Sequence, residues 1–248
     1  MVALTTDLKN NVLLLRTAGT KKGNTMNLLR VDASIRSEGS VSRQLGDAVE
    51  QQWRQQHPDG TVTRRDVGSA PLPPLWHAGV PGSHLPPEQR TPEQARAAAL
   101  VDELVGELLA ADAIVIGAPI YNWGVPQGLK QWIDLICLDA RPAASDGTFL
   151  AGRQAIVVES RGGGYDPGTP REGWDFVTPY LTRLLGDAWG LELSFARAEL
   201  TSADQNPAMA FLREQAKEQL AEAETSAASH VTAVLDRLRS GARTNPSR

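Results

Sequence analysis

Short apolar runs alternate with longer amphipathic segments along the chain from residue 27 onward. A short apolar run is typical of a strand, whereas apolar residues spaced three and four apart are typical of a helix. Strands that alternate with helices indicate a parallel sheet covered by helices. We therefore predict an α/β fold, with a doubly wound five-stranded parallel sheet and helices on both of its faces. The runs predict strands at residues 28–33, 61–67, 113–117, 154–159 and 191–200.

The clearest helical stripe begins after Thr91-Pro92-Glu93, which is a typical helix start. One face of this helix is apolar and carries Ala97, Leu100, Val101, Leu104, Leu108 and Leu109. Similar stripes predict helices around residues 45–53, 129–136, 174–189 and 207–239, the last one interrupted near residues 226–229. The first of these four should end at His57-Pro58-Asp59-Gly60, because proline and glycine stop helices.

Two stretches do not follow the alternation. Residues 68–92 contain many prolines and few apolar residues, so we predict a long surface excursion between a strand and a helix. Residues 1–25 lack the basic region and the cleavage site of a secretory signal. We expect a disordered leader, from an extended gene start or an added segment, which the chemistry does not need; an extra strand or a dimer arm is the alternative. Residues 26–248 are then expected to form a single domain.

The composition excludes several classes of protein. The 25 basic and 29 acidic residues give a net charge of −4, which argues against a nucleic-acid or anionic-membrane surface. A single cysteine excludes an internal disulfide, and four histidines without metal-ligand spacing indicate no metal site. No apolar run approaches the roughly 20 residues that cross a bilayer. We therefore expect a cytoplasmic protein, with Cys137 as a small core residue.

Two well-known nucleotide-binding motifs are absent from the sequence, namely the G-x-G-x-x-G fingerprint after the first strand and the G-x-x-x-x-G-K-[ST] phosphate loop. In an open parallel sheet the ligand still binds beyond the carboxyl ends of the strands. The candidate chemistry therefore belongs to the loops after the first, third and fourth predicted strands. In the predicted topology these three loops converge on one crevice.

The loop after the first strand is rich in serine. Ser34 lies where the strand ends, and Ser40 and Ser42 lie where the next helix begins. Hydroxyls beside the free N–H groups of a helix N-terminus favour an anion, because the helix dipole acts in the same direction. The loop contains no lysine of the kind that binds a triphosphate, so a monophosphate such as FMN suits it. An ordinary serine N-cap is the alternative.

The other two loops suit a flat ring. The loop after the third strand offers aromatic walls, backbone N–H groups and a side-chain amide in the run Pro119-Ile120-Tyr121-Asn122-Trp123. The loop after the fourth strand reads Ser160-Arg161-Gly162-Gly163-Gly164, and glycine lets a backbone approach a flat ligand closely. The alternatives are a proline-bounded loop whose aromatic residues cap the core, and a flexible turn.

In the order and spacing of these three loops, the chain resembles the family of FMN-dependent NADH:quinone oxidoreductases and azoreductases, which has a flavodoxin-like fold. The resemblance runs from about residue 28 to residue 200. It implies that the first loop binds the FMN phosphate, the second the isoalloxazine ring and the third the pyrimidine side of that ring. The residues to which it assigns these contacts are Ser34, Ser40, Val41, Ser42, Pro119, Ile120, Tyr121, Asn122, Trp123, Ser160, Arg161, Gly162 and Gly163.

Three positions depart from the family's pattern. Val41 stands where a polar residue is common, Ile120 where methionine is common, and Trp123 where phenylalanine is common. FMN binding is still expected, whereas the identity of the acceptor stays open.

The resemblance also implies an activity. It points to a homodimer that uses NADH or NADPH to reduce FMN and then reduces a quinone, azo or related aromatic acceptor in a ping-pong cycle. No protein side chain is predicted to act as an acid or base. A flavodoxin-like electron carrier is one alternative, although the chain lacks the T-x-T-x-x-T phosphate loop and the strong acidity of flavodoxins. An FMN-binding protein without catalysis is the other.

The excursion contains the segment Leu72-Pro73-Pro74-Leu75-Trp76-His77 on the same side of the sheet as the three loops. An exposed tryptophan among leucines and prolines is otherwise an apolar liability. We hypothesise that this segment packs over the active site, in its own subunit or in the partner, and shapes the choice of acceptor without touching FMN. A surface loop packed on its own domain is the alternative.

Overall fold

The computed structural model describes residues 25–240. Within them, five parallel strands form one sheet in the order β2-β1-β3-β4-β5. The strands are β1 (Asn27–Asp32), β2 (Thr61–Asp66), β3 (Ala113–Pro119), β4 (Gln154–Ser160) and β5 (Glu192–Ala198). The predicted sheet is confirmed. The leader predicted for residues 1–25 lies outside the described residues except for Thr25.

Helices cover both faces of the sheet, as predicted. The helices of one face are α1 (Val41–Gln56) and α7 (Arg213–Arg239). Those that pack with the core of the other face are α3 (Pro92–Ala110), α4 (Gln127–Ile136) and α6 (Val177–Leu181), which continues as a π-helical segment, Thr182–Ala188. A four-residue helix, α5 (Ala140–Ala143), follows α4. Within residues 25–240, no helix is both long and apolar enough to cross a membrane.

The strand order places a crevice at the carboxyl ends of β1 and β3. The chain leaves β1 toward β2 on one side and leaves β3 toward β4 on the other. All seven residues of β3 are buried, which fits a central strand covered on both faces. Since ligands bind where the direction of winding reverses, the candidate site belongs at this switch point.

The last helix is continuous, so the break predicted near residues 226–229 is wrong. Serine competes for backbone hydrogen bonds and weakens a helix on its own. Here the Ser226 hydroxyl lies 3.2 Å from His230 Nε2, and Ala227 is fully buried. Packing of α7 on the sheet therefore outweighs the low helix propensity of this stretch.

The excursion contains a helix that the sequence analysis did not predict, α2 (Trp76–Gly82), followed by a 3₁₀ turn at Pro87–Gln89. A β-carbon on Gly79 would come within 2.4 Å of Leu138 Cδ1, and one on Gly82 within 2.9 Å of Gln94 Cβ. Small residues thus let α2 pack closely against its neighbours. Such packing lacks the stripe of large apolar residues by which a helix is recognised in a sequence.

Several predicted boundaries shift, and two of these shifts have a visible local cause. The strand predicted to end at residue 200 ends at Ala198, and Leu200 has a φ of 59°, which turns the chain. The helix predicted from residue 174 begins at Val177, because the Asp175 carboxylate accepts hydrogen bonds from the N–H groups of Val177 and Thr178 at 2.9 and 3.0 Å.

The lone cysteine packs against the core at the end of α4. Cys137 is partly buried beside the residues of that core, and burial raises the pKa of its thiol. Its placement agrees with the expected role of a small core residue.

Candidate active site

The loops after β1, β3 and β4 lie side by side at the carboxyl edge of the sheet; they are called the first loop (residues 33–40), the second loop (residues 120–126) and the third loop (residues 161–165). The Ser34 hydroxyl lies 3.2 Å from the Tyr121 hydroxyl, which connects the first loop to the second. The N–H of Ile120 donates at 2.9 Å to the carbonyl of Ser160, the last residue of β4, which connects the second loop to the point where the third loop begins. The structure therefore brings the three predicted loops together.

The first loop ends at the N-terminus of α1. Ser40 is the N-cap of this helix, and its hydroxyl accepts a hydrogen bond from the N–H of Arg43 at 3.4 Å and lies 3.4 Å from the Ser42 hydroxyl. The first turn of α1 contains no acidic residue that would repel an anion. Val41 and Ser42 begin the helix, where backbone N–H groups have no intrahelical acceptor. Ser40 is thus an N-cap, and the hydroxyls and free N–H groups at this helix N-terminus also fit a phosphate group.

A buried cluster of charges lies beneath the first loop. Arg30 is 4% exposed, and its guanidinium binds the Asp32 carboxylate at 2.8 Å and the Glu50 carboxylate at 3.3 Å. Burial raises the pKa of Asp32 even though Arg30 acts to lower it. This cluster was not predicted from the sequence. Its signal in the sequence is a pair of charged residues, Arg30 and Asp32, at alternate positions of an otherwise apolar predicted strand.

The second loop turns through a strained backbone. Asn122 and Trp123 have φ values of 48° and 64°, and the N–H of Gly124 donates to the carbonyl of Tyr121 at 3.0 Å. Two positive φ values at the centre of a turn are typical of type I′, which favours Asn-Gly. A tryptophan in place of that glycine costs conformational energy, and strain of this kind clusters at functional sites.

Exposed aromatic side chains surround the second loop. Trp123 is 42% exposed and meets Trp174 edge to face, with 5.2 Å between the ring centroids. The N–H of Phe176 donates to the carbonyl of Trp123 at 3.1 Å, and the Phe176 ring is also exposed. The alternative in which aromatic residues of this loop cap the core therefore does not hold for Trp123. A group of exposed aromatic residues indicates a surface that binds a ligand or a protein.

A cavity of about 960 Å³ opens beside the second loop. Tyr121 and Asn122 form one wall, and Trp76 of α2 and Ile35 of the first loop form others. Mostly apolar walls with a few polar groups are typical of a site for a small molecule. Among the described residues that line this cavity, none is Ser40, Ser42 or a residue of the third loop.

The third loop begins with a buried cation. The Arg161 guanidinium binds the carboxylates of Glu159, Asp175 and Glu199 at 3.0, 2.6 and 3.1 Å. Burial acts to raise the pKa of Asp175, but hydrogen bonds from Thr178 and the charge of Arg161 outweigh it and hold this pKa below its ordinary value. The Arg161 side chain therefore faces protein carboxylates, and its backbone N–H donates to the carbonyl of Ala198 while its carbonyl accepts from the N–H of Thr201.

The glycines of the third loop make room for protein side chains, Gly162 for Ser202 and Gly163 for Arg171, a role that was not predicted from the sequence. The N–H of Ser202 donates to the carbonyl of Gly162 at 3.2 Å, and that of Leu200 to the carbonyl of Gly163 at 3.3 Å. A β-carbon on Gly162 would lie 2.7 Å from Ser202 Oγ, and one on Gly163 would lie 2.9 Å from Arg171 Nη1. Backbone pairing therefore orders this loop, unlike the flexible turn that was the alternative.

Within residues 25–240, no group of three or more His, Cys, Asp or Glu side chains is arranged to hold a metal ion. The carboxylates around Arg161 are paired with that cation instead.

The chain is similar in sequence and in fold to known proteins. A family model described as "Flavodoxin-like fold" matches residues 26–225. An FMN-dependent NADH:quinone oxidoreductase of Streptomyces avermitilis is 42% identical over 211 residues, which cover 85% of this chain and 97% of the relative. A protein of the same name from a Parafrankia species is 43% identical over 186 residues, which cover 74% of this chain and 88% of the relative.

A solved structure has the same fold. The FMN-dependent NADH-azoreductase of Bacillus anthracis, determined in complex with FMN, matches with a TM-score of 0.70 at 17% sequence identity. The match covers 85% of this chain and 99% of the azoreductase chain. At this level of identity, the likeness concerns the fold.

Proposed function

The chain belongs to the flavodoxin-like fold family and, within it, to the FMN-dependent NADH:quinone oxidoreductases, and from that premise we propose that it is an FMN-dependent NAD(P)H oxidoreductase. Its acceptors are quinones, azo compounds or related aromatic molecules. The observation that carries the proposal is the meeting of three loops at the β1/β3 switch point, one suited to a phosphate and one bearing a strained aromatic turn.

The residues of the first loop hold the phosphate in this proposal. The hydroxyls of Ser34, Ser40 and Ser42 are donors, and the N–H of Val41 adds a backbone donor at the start of α1. The absence of an acidic side chain in the first turn of α1 supports this assignment. An anion there is favoured by the free N–H groups and by the dipole of the helix.

The second and third loops hold the flavin ring. Residues 119–123 supply a wall of Pro119, Ile120 and Tyr121, the Asn122 amide and the Trp123 backbone. The end of β4 and the third loop face the pyrimidine side with Ser160, Arg161, Gly162 and Gly163. The N–H groups of Gly162 and Gly163 are the donors assigned to negative charge there, because the N–H of Arg161 donates to the carbonyl of Ala198. The chemistry supplied by bound FMN is two-electron transfer from NADH or NADPH to the acceptor, in a ping-pong cycle. The protein binds and orients the reactants, and no side chain is assigned as an acid or base.

We also propose a homodimer in which the partner subunit completes the site. The exposed Trp123, Trp174 and Phe176 support this assembly, because a second copy would remove their apolar surface from water. An enzyme that consumes NADH works where NADH is regenerated, which favours the cytoplasm.

Steady-state kinetics test the proposed activity. The FMN-loaded protein should oxidise NADH or NADPH continuously when a quinone, an azo compound or oxygen is present to reoxidise the flavin. Double-reciprocal plots should give the parallel lines of a ping-pong mechanism. A protein that binds FMN but does not turn over with any acceptor would instead be an electron carrier or a non-catalytic FMN-binding protein.

The Trp76→Ala variant should change the preference among acceptors. Trp76 is 49% exposed and lines the 960 Å³ cavity beside Tyr121, so its removal widens the space next to the proposed flavin site. We expect the ratio of kcat/KM values for a bulky and a small acceptor to shift by roughly tenfold, while FMN affinity is unchanged. Kinetics with a panel of quinones and azo compounds measure this ratio.

The control is Phe211→Ala, which removes another exposed aromatic ring from a 3₁₀ helix that does not line the cavity. This control should leave the ratio unchanged. An equal loss for every acceptor in Trp76→Ala, together with a lower Tm, would show that Trp76 only packs against its own domain.

A further inference from the structure

The first loop wraps around a single guanidinium group, that of Arg43 in the first turn of α1. Arg43 Nη2 donates to the carbonyl of Ser34 at 2.7 Å, and Arg43 Nε donates to the carbonyl of Arg36 at 2.8 Å. Two donors of one rigid plane thus hold two carbonyls of the same loop. No role was predicted for Arg43 from the sequence.

Arg43 is itself fixed from the neighbouring strand. Its Nη1 and Nη2 atoms bind the two carboxylate oxygens of Asp66 at 2.9 and 3.0 Å, in a two-pronged pair. Asp66 also accepts hydrogen bonds from the N–H groups of Gly68 and Ser69 at 3.0 and 2.9 Å. Burial acts to raise the pKa of Asp66, but Arg43 and Ser69 outweigh it and hold this pKa well below its ordinary value. The pair therefore stays charged in neutral solution.

The hydrogen bonds from Arg43 to the carbonyls of Ser34 and Arg36 set the direction in which the N–H groups of the first loop point. In a planar trans peptide the C=O and the following N–H point in opposite directions. Since the Ser34 carbonyl points to Arg43, the N–H of Ile35 points away from it, and this N–H donates to the Tyr121 hydroxyl at 3.2 Å. By the same geometry, the Arg36 carbonyl directs the N–H of Ser37 away from the guanidinium.

We infer that Arg43 is a positioning residue for the phosphate of FMN: it holds the backbone of the first loop in the conformation that binds the phosphate, and does not itself bind the phosphate. The inference rests on the proposed function. Asp66 already compensates the charge of Arg43, and Asp32 lies 3.8 Å from Arg43 Nη1 as a second carboxylate. The contribution of Arg43 is therefore geometric, since its charge is already neutralised within the protein.

Two ligands separate this role from a general effect on folding. FMN and riboflavin differ only in the phosphate, and the quenching of their fluorescence measures each Kd on purified protein. We expect Arg43→Lys and Arg43→Met to weaken FMN binding by roughly tenfold or more, which is the scale for lost hydrogen bonds to a charged group. Riboflavin binding should change less than twofold. Lysine should fail to rescue, because one ammonium group cannot hold two carbonyls and a carboxylate in a plane.

A third variant tests whether Arg43 supports FMN binding by positioning the first loop or by attracting the phosphate with its charge. Asp66→Asn removes the charge that anchors Arg43 and keeps the shape of the side chain. If Arg43 positions the loop, Asp66→Asn weakens FMN binding; if Arg43 attracts the phosphate by its charge, the freed cation makes FMN bind more tightly. The matched control is Arg54→Met, which removes a half-exposed arginine from the same helix and should leave both Kd values unchanged.

Several results would overturn the inference. They are FMN affinity restored by lysine, tighter FMN binding in Asp66→Asn, unchanged FMN affinity in Arg43→Met, and an equal loss of FMN and riboflavin binding with a lower Tm. Wild-type protein that binds no FMN would overturn the proposed function itself, and this failure is seen before any variant is measured.

Discussion

Replacing Arg161 with methionine is expected to lower the free energy of unfolding by about 3–5 kcal/mol, the range found when one partner of a buried ion pair is removed. The Arg161 side chain is 5% exposed and holds the carboxylates of Glu159, Asp175 and Glu199 within 3.1 Å. Without this cation, Glu159 keeps its pair with Arg197 at 2.9 Å, but Asp175 and Glu199 lose the positive charge of Arg161, and little water is present to screen the repulsion among the three carboxylates. Urea denaturation of the purified variant measures the change.

The matched control is Arg183→Met, which removes the same charge from an exposed ion pair. Arg183 is 83% exposed in its side chain and binds Asp187 at 2.7 Å. Exposed pairs contribute about 0–1 kcal/mol, so this variant should be nearly as stable as the wild type. Equal losses in the two variants would contradict the account of Arg161.

The difference between wild type and Arg161→Met should also shrink in acid. The pKa of Asp175 is lowered in the folded protein, so the stability that it contributes is present above its unfolded pKa of about 4 and is lost as the pH falls. Arg161 is one cause of that lowered pKa. Denaturation curves at neutral pH and at acidic pH compare the two proteins.

Replacing Ser40 and Ser42 together with alanine should weaken FMN binding by about 1–3 kcal/mol, which corresponds to roughly 5- to 150-fold in Kd. Both hydroxyls lie at the start of α1, in the proposed phosphate site. Turnover of the fully FMN-loaded enzyme should change little, because the phosphate is remote from the reacting ring. Titration of flavin fluorescence measures the affinity, and steady-state assays at saturating FMN measure the turnover.

The double variant also removes a helix cap, and Thr91→Ala controls for this effect. Thr91 caps α3 with a hydrogen bond from the N–H of Gln94, away from the three loops. Both changes should lower stability by about 1 kcal/mol, but only the serine variant should lose FMN affinity. Unchanged FMN affinity in the serine variant would place the phosphate elsewhere.

The sheet and the meeting of the three loops could be predicted because they depend on local patterns. Apolar runs separated by helical stripes specify parallel strands, and the topology alone then brings their carboxyl ends to one edge. The uninterrupted apolar run of β3 predicted the central strand correctly, and the structure buries all seven of its residues.

The direction of individual side chains could not be predicted, because it depends on residues distant in sequence. Arg161 was expected at the flavin, but its side chain is bound by carboxylates 14 and 38 residues away, Asp175 and Glu199. The hydrogen bond from Arg43 to the carbonyl of Ser34 likewise joins α1 to the first loop, and the same guanidinium binds Asp66 of β2. The positive φ of Trp123 has no sequence signal, because tryptophan rarely adopts this conformation.

The central claim is that this chain transfers electrons through FMN, and an anaerobic titration tests it most directly. NADH or NADPH is added stepwise to the FMN-loaded protein while the visible absorbance of the flavin is recorded, and a quinone is then added. The account predicts that one equivalent of reductant per chain bleaches the flavin and that one equivalent of quinone restores its colour. A flavin that stays oxidised in the presence of both nicotinamide donors, or a protein that takes up FAD in place of FMN, would contradict it.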